Sequence, residues 1–358
     1  MQRRSLLFAA PALLVAHAAL AVPDEAGFRA LNKAVVEGVV LPGYRLFAGT
    51  TAAFAGTLAA LAKAPAEPAP LEAARRGWAD TMLAWQGIQH LRFGPADLFS
   101  RHQRIQFWPD PRGAIDGDLA DAIGRRDAAL LEVRPNAISN VTALGLPAAE
   151  RLLFDGDAAQ KLATADAEAA YRAALLGAIG ATLAAIGRDM LEGWTSGENP
   201  YAAVMIDPRM PYASPKEATL ELFKAMHAAV RAVSDRKLGL AADTGQVQLL
   251  EAWRARLSGP CVAADIVAAR QMFRAGFGPA LEKDGQGEVA ALLTGAFEQA
   301  AAAAAALPLP IEEALADPTR RAQVQALRRE ATALKALMAQ HLPRALDLPQ
   351  VSDVLATD

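Results

Sequence analysis

Residues that could form a catalytic centre are few and widely spaced in this sequence. Besides His17, the histidines are His90, His102, His227 and His341, and none has a partner at the His-Glu-x-x-His spacing of zinc proteases. The sequence has no Gly-x-Ser-x-Gly nucleophile motif, no Gly-x-x-x-x-Gly-Lys phosphate loop and no Gly-x-Gly-x-x-Gly dinucleotide motif. We therefore assign no catalytic residue and do not expect an enzyme.

Three other side chains are candidates for binding a ligand. Arg92 and Trp108 border the segment that follows the helix predicted at residues 71–91, and Arg254 is next to Trp253 in the sequence. An arginine suits bidentate recognition of a carboxylate, although a surface arginine is the simpler interpretation. A loop tryptophan can line a pocket or cover the end of a bundle.

Glu150 is a further candidate, in the first turn of a short predicted helix that follows Gly145. A carboxylate at this position can also act structurally, because it stabilises the helix dipole. The single cysteine, Cys261, excludes an internal disulfide. It is better interpreted as a small buried apolar residue than as a nucleophile.

Apolar residues that recur every three or four positions predict helices along most of the chain. The predicted helices cover residues 28–39, 44–62, 71–91, 118–131, 147–154, 165–194, 217–236, 246–257, 287–307 and 318–341. Leu41-Pro42-Gly43 is expected to end the first helix, and Ser214 to Glu217 form a capping box at the start of another. Strand signals are nearly absent, which predicts an all-α fold of antiparallel helical bundles.

The length of the chain suggests two domains. We predict an N-terminal bundle at 22–160 and a C-terminal bundle at 161–358, with the proline-rich stretch 197–215 either between bundles or lining a cleft. Trp85 followed by Arg92-Phe93-Gly94-Pro95 is loosely echoed by Trp253 followed by Arg274 and Phe277-Gly278-Pro279. This echo is compatible with an internal duplication.

The N-terminus has the features of a secretory signal peptide. Arg3-Arg4 precedes an uncharged stretch that ends in the small-x-small site Ala19-Leu20-Ala21. The apolar run is shorter than the roughly 20 residues of a membrane span, so we expect cleavage after Ala21, no remaining span and a periplasmic location. Export could use the general or the twin-arginine route.

The charge balance narrows the possible partners. Loss of Arg3 and Arg4 would change the formal charge from −3 to −5. A mildly acidic chain is not expected to bind nucleic acid or an anionic membrane surface. The oligomeric state cannot be derived from these features.

Six short segments point to a known family: Val39–Tyr44, Trp85-Gln86, Arg92–Pro95, Ile105–Asp110, Gly145–Phe154 and Leu250–Arg254. In this order and spacing they resemble the imelysin-like family of exported bacterial proteins. This family is named after an insulin-cleaving protease and is related to the periplasmic component of a ferrous iron transporter.

The resemblance implies two bundles with a cleft in which Arg92, Trp108, Gly145, Glu150 and Arg254 contact an anionic or metal-chelate ligand. The family motif is Gly-x-His-x-x-Glu, in which a histidine and a glutamate three residues apart share a helix face and suit a metal. Gly145 and Glu150 match this motif, but Pro147 occupies the histidine position and has no ligand atom. The resemblance therefore implies Glu150 as the one metal ligand in this motif, and it implies iron as the metal.

We expect a periplasmic binding protein associated with iron acquisition, with an iron-transport membrane component as its implied partner. The alternatives are a metal-dependent peptidase and a non-catalytic interaction module of the cell envelope.

Overall fold

A computed structural model describes residues 22–137 and 141–349. The predicted signal peptide, residues 1–21, lies outside the described residues, as do the last nine residues of the chain. All regular elements in the described ranges are helical, which confirms the all-α prediction.

The helices before residue 200 are α1 (Glu25–Val35), α2 (Leu41–Lys63), α3 (Pro68–Gln86), α4 (Arg101–Ile105), α5 (Ala114–Arg125), α6 (Leu146–Phe154), α7 (Ala158–Ala163) and α8 (Ala167–Thr195). Those after residue 200 are α9 (Tyr201–Ile206), α10 (Pro215–Arg231), α11 (Gly239–Thr244), α12 (Ser258–Met272), α13 (Gly278–Lys283), α14 (Gly287–Ala305), α15 (Ile311–Ala314) and α16 (Pro318–Ala345). Short 3₁₀ turns lie at Gly94–Ala96, Leu98–Ser100, Ala128–Leu131 and Val247–Leu249, and wider π turns at Val36–Val40, Ala232–Lys237 and Phe273–Phe277.

The first bundle is built around α2, α3, α6 and α8. Helix α8 is apolar on nearly all sides, as expected for a helix surrounded by others. It approaches α2 closely, because a Cβ added to Gly180 or Gly187 would lie within 3.0 Å of Leu58 or Thr51. These small residues let the two helices bury their facing surfaces along most of their length.

The second bundle contains α10, α12, α14 and α16, joined by α1 from the start of the described chain. Asn32 of α1 donates a hydrogen bond to the carbonyl of Pro215 at 2.9 Å and accepts one from the Thr219 hydroxyl. Helix α12 also contacts α3, so the two bundles meet there. Helix α8 packs against α2 of the first bundle, although the division predicted from the sequence assigned it to the C-terminal bundle at 161–358. The domain boundary between residues 160 and 161 stays a prediction.

Helices α1 and α2 form one continuous helix through the π turn Val36–Val40, so the break predicted at Leu41-Pro42-Gly43 is wrong. The backbone N–H of Leu41 bonds to the carbonyl of Val36, five residues earlier, and Pro42 follows in the next turn. Proline has no N–H to donate, and Pro42 lies directly after the π turn, where the regular bonding to the fourth preceding residue is already interrupted.

Within residues 22–137 and 141–349, two helical stretches, Glu25–Lys63 and Ala167–Thr195, are long and apolar enough to cross a membrane by length and composition. The second is α8, whose apolar residues are mostly buried in the first bundle. The core helix of a globular protein has the same composition, so these stretches are weak indications of a membrane span.

The helix predicted for residues 246–257 is also wrong. After a single 3₁₀ turn, residues 250–257 form a series of turns in which Ala252 and Arg256 have φ angles of 58° and 56°. Left-handed backbone is uncommon for residues with a Cβ and occurs mainly where surrounding contacts impose it. We call this segment the 250–257 loop. In contrast, the predicted N-cap is present, because Ser214 Oγ accepts the N–H of Glu217 at 3.3 Å. The Glu217 carboxylate accepts the N–H of Ala213 at 2.7 Å, one residue before the position that a capping box predicts.

Candidate functional site

A pocket of about 230 Å³ lies between the first bundle and the 250–257 loop. One wall comes from α3, α6 and the chain between α4 and α5, and the opposite wall from residues 248–254. Its volume is just below the range of ~300–1,000 Å³ that is usual for drug-sized ligands. The pocket therefore suits a small molecule.

Glu150 lies at this pocket and is 5% exposed. Its Oε1 accepts a hydrogen bond from the backbone N–H of Ala255 at 3.1 Å. Burial raises the pKa of the carboxyl to about 7, although the Ala255 N–H and the nearby Arg254 guanidinium favour the ionised form. A buried carboxyl that can lose its proton near neutral pH can hold a cation or move a proton.

Gly145 is in the predicted motif but does not line the pocket. Its φ angle is 117°, and a Cβ at this position would lie 2.5 Å from the carbonyl oxygen of Arg104. The next carbonyl, that of Leu146, accepts a hydrogen bond from Trp78 Nε1 at 2.9 Å. Gly145 thus lets the start of α6 approach α4 and α3 closely, and this contact positions Glu150.

Arg254 lies at the pocket, but its guanidinium is already engaged. Its Nε donates to Asp155 at 2.7 Å, its Nη2 lies 3.6 Å from Asp116, and its Cζ stacks over the Trp253 ring at 4.5 Å. Arg151 is held similarly, since its Nε donates to Asp116 and its Nη1 to the carbonyl of Pro147. These two arginines act as internal cross-links of the pocket wall.

Trp108 also lines the pocket and is half-buried, with a cis peptide bond to Pro109. Arg92 does not reach the pocket. It donates to His102 Nδ1 at 2.9 Å, while His102 Nε2 donates to the carbonyl of Gln89 at 3.0 Å. Burial, with Arg92 adding to it, lowers the pKa of His102 to about 3, so this imidazole is neutral and bridges two segments of the first bundle.

Sequence analysis missed a buried ion cluster that adjoins the pocket. Lys237 Nζ lies 2.7 Å from Glu251 Oε2 and 2.5 Å from Asp265 Oδ2, and it donates to Gln86 Oε1. The side chains of the three ionisable residues Lys237, Glu251 and Asp265 are at most 3% exposed. Glu251 also lines the pocket, so the cluster extends to the ligand space.

The cluster has two carboxylates and one ammonium group. Burial raises the pKa of Asp265 to about 7, although Lys237 favours its ionised form. Burial alone would lower the pKa of Lys237, but the carboxylates of Asp265 and Glu251 outweigh it and raise the pKa. Lys237 is therefore charged, and within the cluster Asp265 is the carboxyl that holds its proton more tightly than usual.

One sequence signal could have identified this cluster. Asp265 is the single charged residue between Cys261 and Ala269, in a segment that is otherwise apolar or alanine. A charged residue in such a segment is rarely buried without a partner. The partner could not be identified, because Lys237 and Glu251 are distant in sequence.

A resident metal does not fit the described residues. They contain no group of three His, Cys, Asp or Glu side chains placed to hold an ion. At the motif's histidine position Pro147 lines the pocket and offers no ligand atom, while Glu150 Oε1 already accepts the Ala255 N–H.

The chain matches known proteins over most of its length. The family model described as Imelysin, Peptidase M75, matches residues 40–341. None of the curated protein sequences matches the chain.

Two solved structures have similar folds. One is described as an iron-regulated protein A precursor from Parabacteroides distasonis, with a TM-score of 0.73 and 17% identity, covering 89% of this chain and 97% of the other. The second is an imelysin-like protein from Psychrobacter arcticum, with a TM-score of 0.73 and 22% identity, covering 92% of this chain and 98% of the other. At these identities the likeness shows the fold.

Proposed function

Because this chain belongs to the imelysin family, we propose that it is an exported binding protein that holds a small ligand in the pocket and serves iron acquisition. The iron link is supported by the family resemblance and by the fold shared with a protein described as iron-regulated. The export step is supported by the N-terminal sequence Arg3 to Ala21.

The observation that carries the binding role is the position of Glu150. Its carboxyl is buried at a pocket whose walls come from two distant parts of the chain, and the Ala255 N–H completes its surroundings. A concave site with aromatic walls and a few converging polar groups is the usual form of a ligand site. Trp108 and Trp253 supply aromatic surface on opposite walls.

A metal-dependent peptidase is the second candidate, because the matching family model has a peptidase name. Catalytic zinc normally takes three protein ligands and an open position for water. The described residues supply Glu150 without a neighbouring ligand pair. Cleavage of insulin chains that stops with a chelator and in Glu150→Ala would favour the peptidase over the binding protein.

Uptake measurements test the proposed function directly. Cells that lack the protein should take up radioactive iron more slowly under iron limitation, and Glu150→Gln should fail to restore the rate. Unchanged uptake in the deletion strain would contradict the iron role. Mass spectrometry of the periplasmic fraction should show a mature chain that starts at Val22, whereas retention of Met1 in the membrane fraction would contradict export.

A further inference from the structure

We infer that the pocket binds the protonated amine of a small organic cation, in preference to an anionic ligand or a bare metal ion. The inference rests on the proposed binding function and specifies the chemical class of the ligand. An iron carrier that bears a free amine would belong to this class.

The arginines of the pocket do not offer an anion site. Arg254 is bound by Asp155 and Asp116, and Arg151 by Asp116 and the carbonyl of Pro147. Arg151 Nη2 also lies 3.9 Å from Asp110. The positive charges of Arg151 and Arg254 are already compensated by these carboxylates. An anionic ligand would therefore have to displace the carboxylates from the guanidinium groups.

The charges of the pocket lining favour a positive ligand. It contains the carboxylates of Asp110, Asp116, Glu150 and Glu251 and the guanidinium groups of Arg151 and Arg254. The lining thus has four acidic side chains and two basic ones. Glu150 is only partly ionised near neutral pH, because burial raises its pKa to about 7, and a bound ammonium group would favour its ionised form. Lys237 compensates Glu251 from behind the pocket, but Lys237 is shared with Asp265, which adds another carboxylate.

Gln106 provides an unused acceptor at the same place. Its Nε2 donates to Glu251 Oε1, which fixes the orientation of the amide, because the flipped amide would bring two acceptors together. The remaining oxygen, Oε1, is buried and has no hydrogen-bond partner among the described residues. Buried acceptors are normally satisfied, so this oxygen requires a donor, and the residue lines the pocket.

Aromatic walls complete the preference for an ammonium group. Phe107, Trp108 and Trp253 line the pocket, and the faces of aromatic rings attract cations. Arg254 already occupies one face of Trp253, which leaves Phe107 and Trp108 for the ligand. Ammonium groups can donate three hydrogen bonds, and the lining offers carboxylate acceptors for them in Asp110, Asp116 and Glu150.

Isothermal titration of the mature protein with 1,5-diaminopentane and agmatine tests the inference. The neutral matched probe is 1,5-pentanediol, the anionic probes are citrate and ferric citrate, and the bare metals are ferrous and zinc ions. We expect the two amines to bind and the diol and citrate not to bind. Citrate or a bare metal that binds the wild type more tightly than either amine would overturn the inference, as would the absence of amine binding.

Two isosteric variants locate the binding. Glu150→Gln and Asp116→Asn should each weaken amine binding at least about tenfold, because each removes a carboxylate of the lining. Asp116→Asn should also raise the affinity for citrate, because it removes the carboxylate that Arg151 and Arg254 share, while Asp155 still holds Arg254 and the carbonyl of Pro147 still holds Arg151. The matched control is Asp121→Asn on the same helix α5, where Asp121 is exposed and pairs with Arg125. Amine binding that is equal in all three variants would place the amine elsewhere and overturn the inference.

The same titrations separate this inference from the proposed function. If ferric citrate binds the wild type and this binding is lost in Glu150→Gln, the pocket is a ligand site that prefers anions. The proposed function would then stand and the amine inference would fail. If none of the probes binds and the uptake of iron is unchanged in the deletion strain, both proposals fail.

Discussion

Glu150, in the second turn of α6, accepts a hydrogen bond from the backbone N–H of Ala255, a residue 105 positions later in the chain. This bond joins the first bundle to the 250–257 loop at the pocket. The loop in turn carries Glu251, which is paired with Lys237, and Arg254, which is paired with Asp155. The pocket therefore depends on contacts between segments that are distant in sequence, and its residues can be tested separately.

Pro147→His tests whether the pocket can be converted to a metal site. The histidine would stand three residues before Glu150, on the same face of α6, as the family motif places it. We expect ferrous and zinc ions to bind Pro147→His more tightly than the wild type, and Pro147→His with Glu150→Ala to lose the gain. Isothermal titration under anaerobic conditions measures both.

Pro147→Ala is the matched control for this substitution, because it removes the ring without adding a ligand. An equal gain in Pro147→Ala would mean that loosening of α6, and not the histidine, is responsible. No gain in Pro147→His would show that Glu150 cannot turn to share an ion with residue 147.

The raised carboxyl pKa values should be visible as a pH-dependent contribution to stability. The pKa values of Asp265 and Glu150 are raised to about 7 in the folded protein, so the folded state keeps protons that the unfolded state has lost. Their contribution is complete below the unfolded carboxyl pKa of ~4 and is lost as the pH rises through the folded value. Burial lowers the pKa values of His102, His90 and His227, and these groups have the opposite effect because their unfolded forms bind protons below ~6.5. The carboxyl contribution is therefore measured as a difference between wild type and variant, by urea unfolding at pH 5.5, 7 and 8.5.

The free energy of unfolding of the wild type minus that of Asp265→Asn should decrease from pH 5.5 to 8.5, and so should the same difference for Glu150→Gln, because each variant lacks one of the two carboxyls. The control is Asp121→Asn, whose carboxylate is exposed and should give a difference that does not change over this interval. A difference that rises with pH for Asp265→Asn or Glu150→Gln would contradict the raised pKa of that carboxyl.

Lys237→Met should destabilise the protein strongly. It leaves the buried carboxylates of Glu251 and Asp265 without a cation, and removing one partner of a buried ion pair typically costs about 3–5 kcal/mol. Chemical denaturation measures the loss. Lys216→Met removes an exposed pair with Asp347 and should cost at most about 1 kcal/mol.

Adding Glu251→Gln and Asp265→Asn to Lys237→Met should recover part of the stability, because the cluster is then neutral. If the triple variant is less stable than Lys237→Met alone, the hydrogen bonds of the cluster matter more than its charge.

Gly145→Ala should disturb the start of α6. The residue has a φ angle of 117°, and the added Cβ would meet the carbonyl oxygen of Arg104 at 2.5 Å. Backbone strain alone costs on the order of 1–3 kcal/mol at such a position. Thermal unfolding should show the loss, whereas Gly156→Ala, with no atom within 4 Å of its added Cβ, should change little.

The helical fold follows from the sequence because its information is local. Ser214 and Glu217 are three residues apart, and the N-cap hydrogen bond that they form needs no distant partner. The 250–257 loop shows where local information ends. In an α-helix the N–H of Ala255 would bond to the carbonyl of Glu251, but here it donates to the side chain of Glu150. The apolar pattern of residues 246–257 predicts a helix, but it carries no information about Glu150, the distant acceptor that competes for this N–H.

Only part of the candidate site can be predicted from local sequence. Glu150, Trp108 and Arg254 line the pocket, while Gly145 supports the start of α6 and Arg92 lies away from it. The cluster of Glu251, Lys237 and Asp265 depends on a π turn that ends at Lys237 and on packing between distant helices. Neither can be recognised from spacing.

The continuous helix from Glu25 to Lys63 has a consequence for the order in which parts of the protein can fold. Its first half, α1, bonds through Asn32 to Pro215, 183 residues later, and its second half, α2, packs against α8. When α1 leaves the ribosome, the surfaces that will cover Phe28 and Leu31 do not yet exist. The second bundle cannot close until α10 to α16 have followed, so completion of the chain, and not of its first half, sets the moment at which α1 is buried.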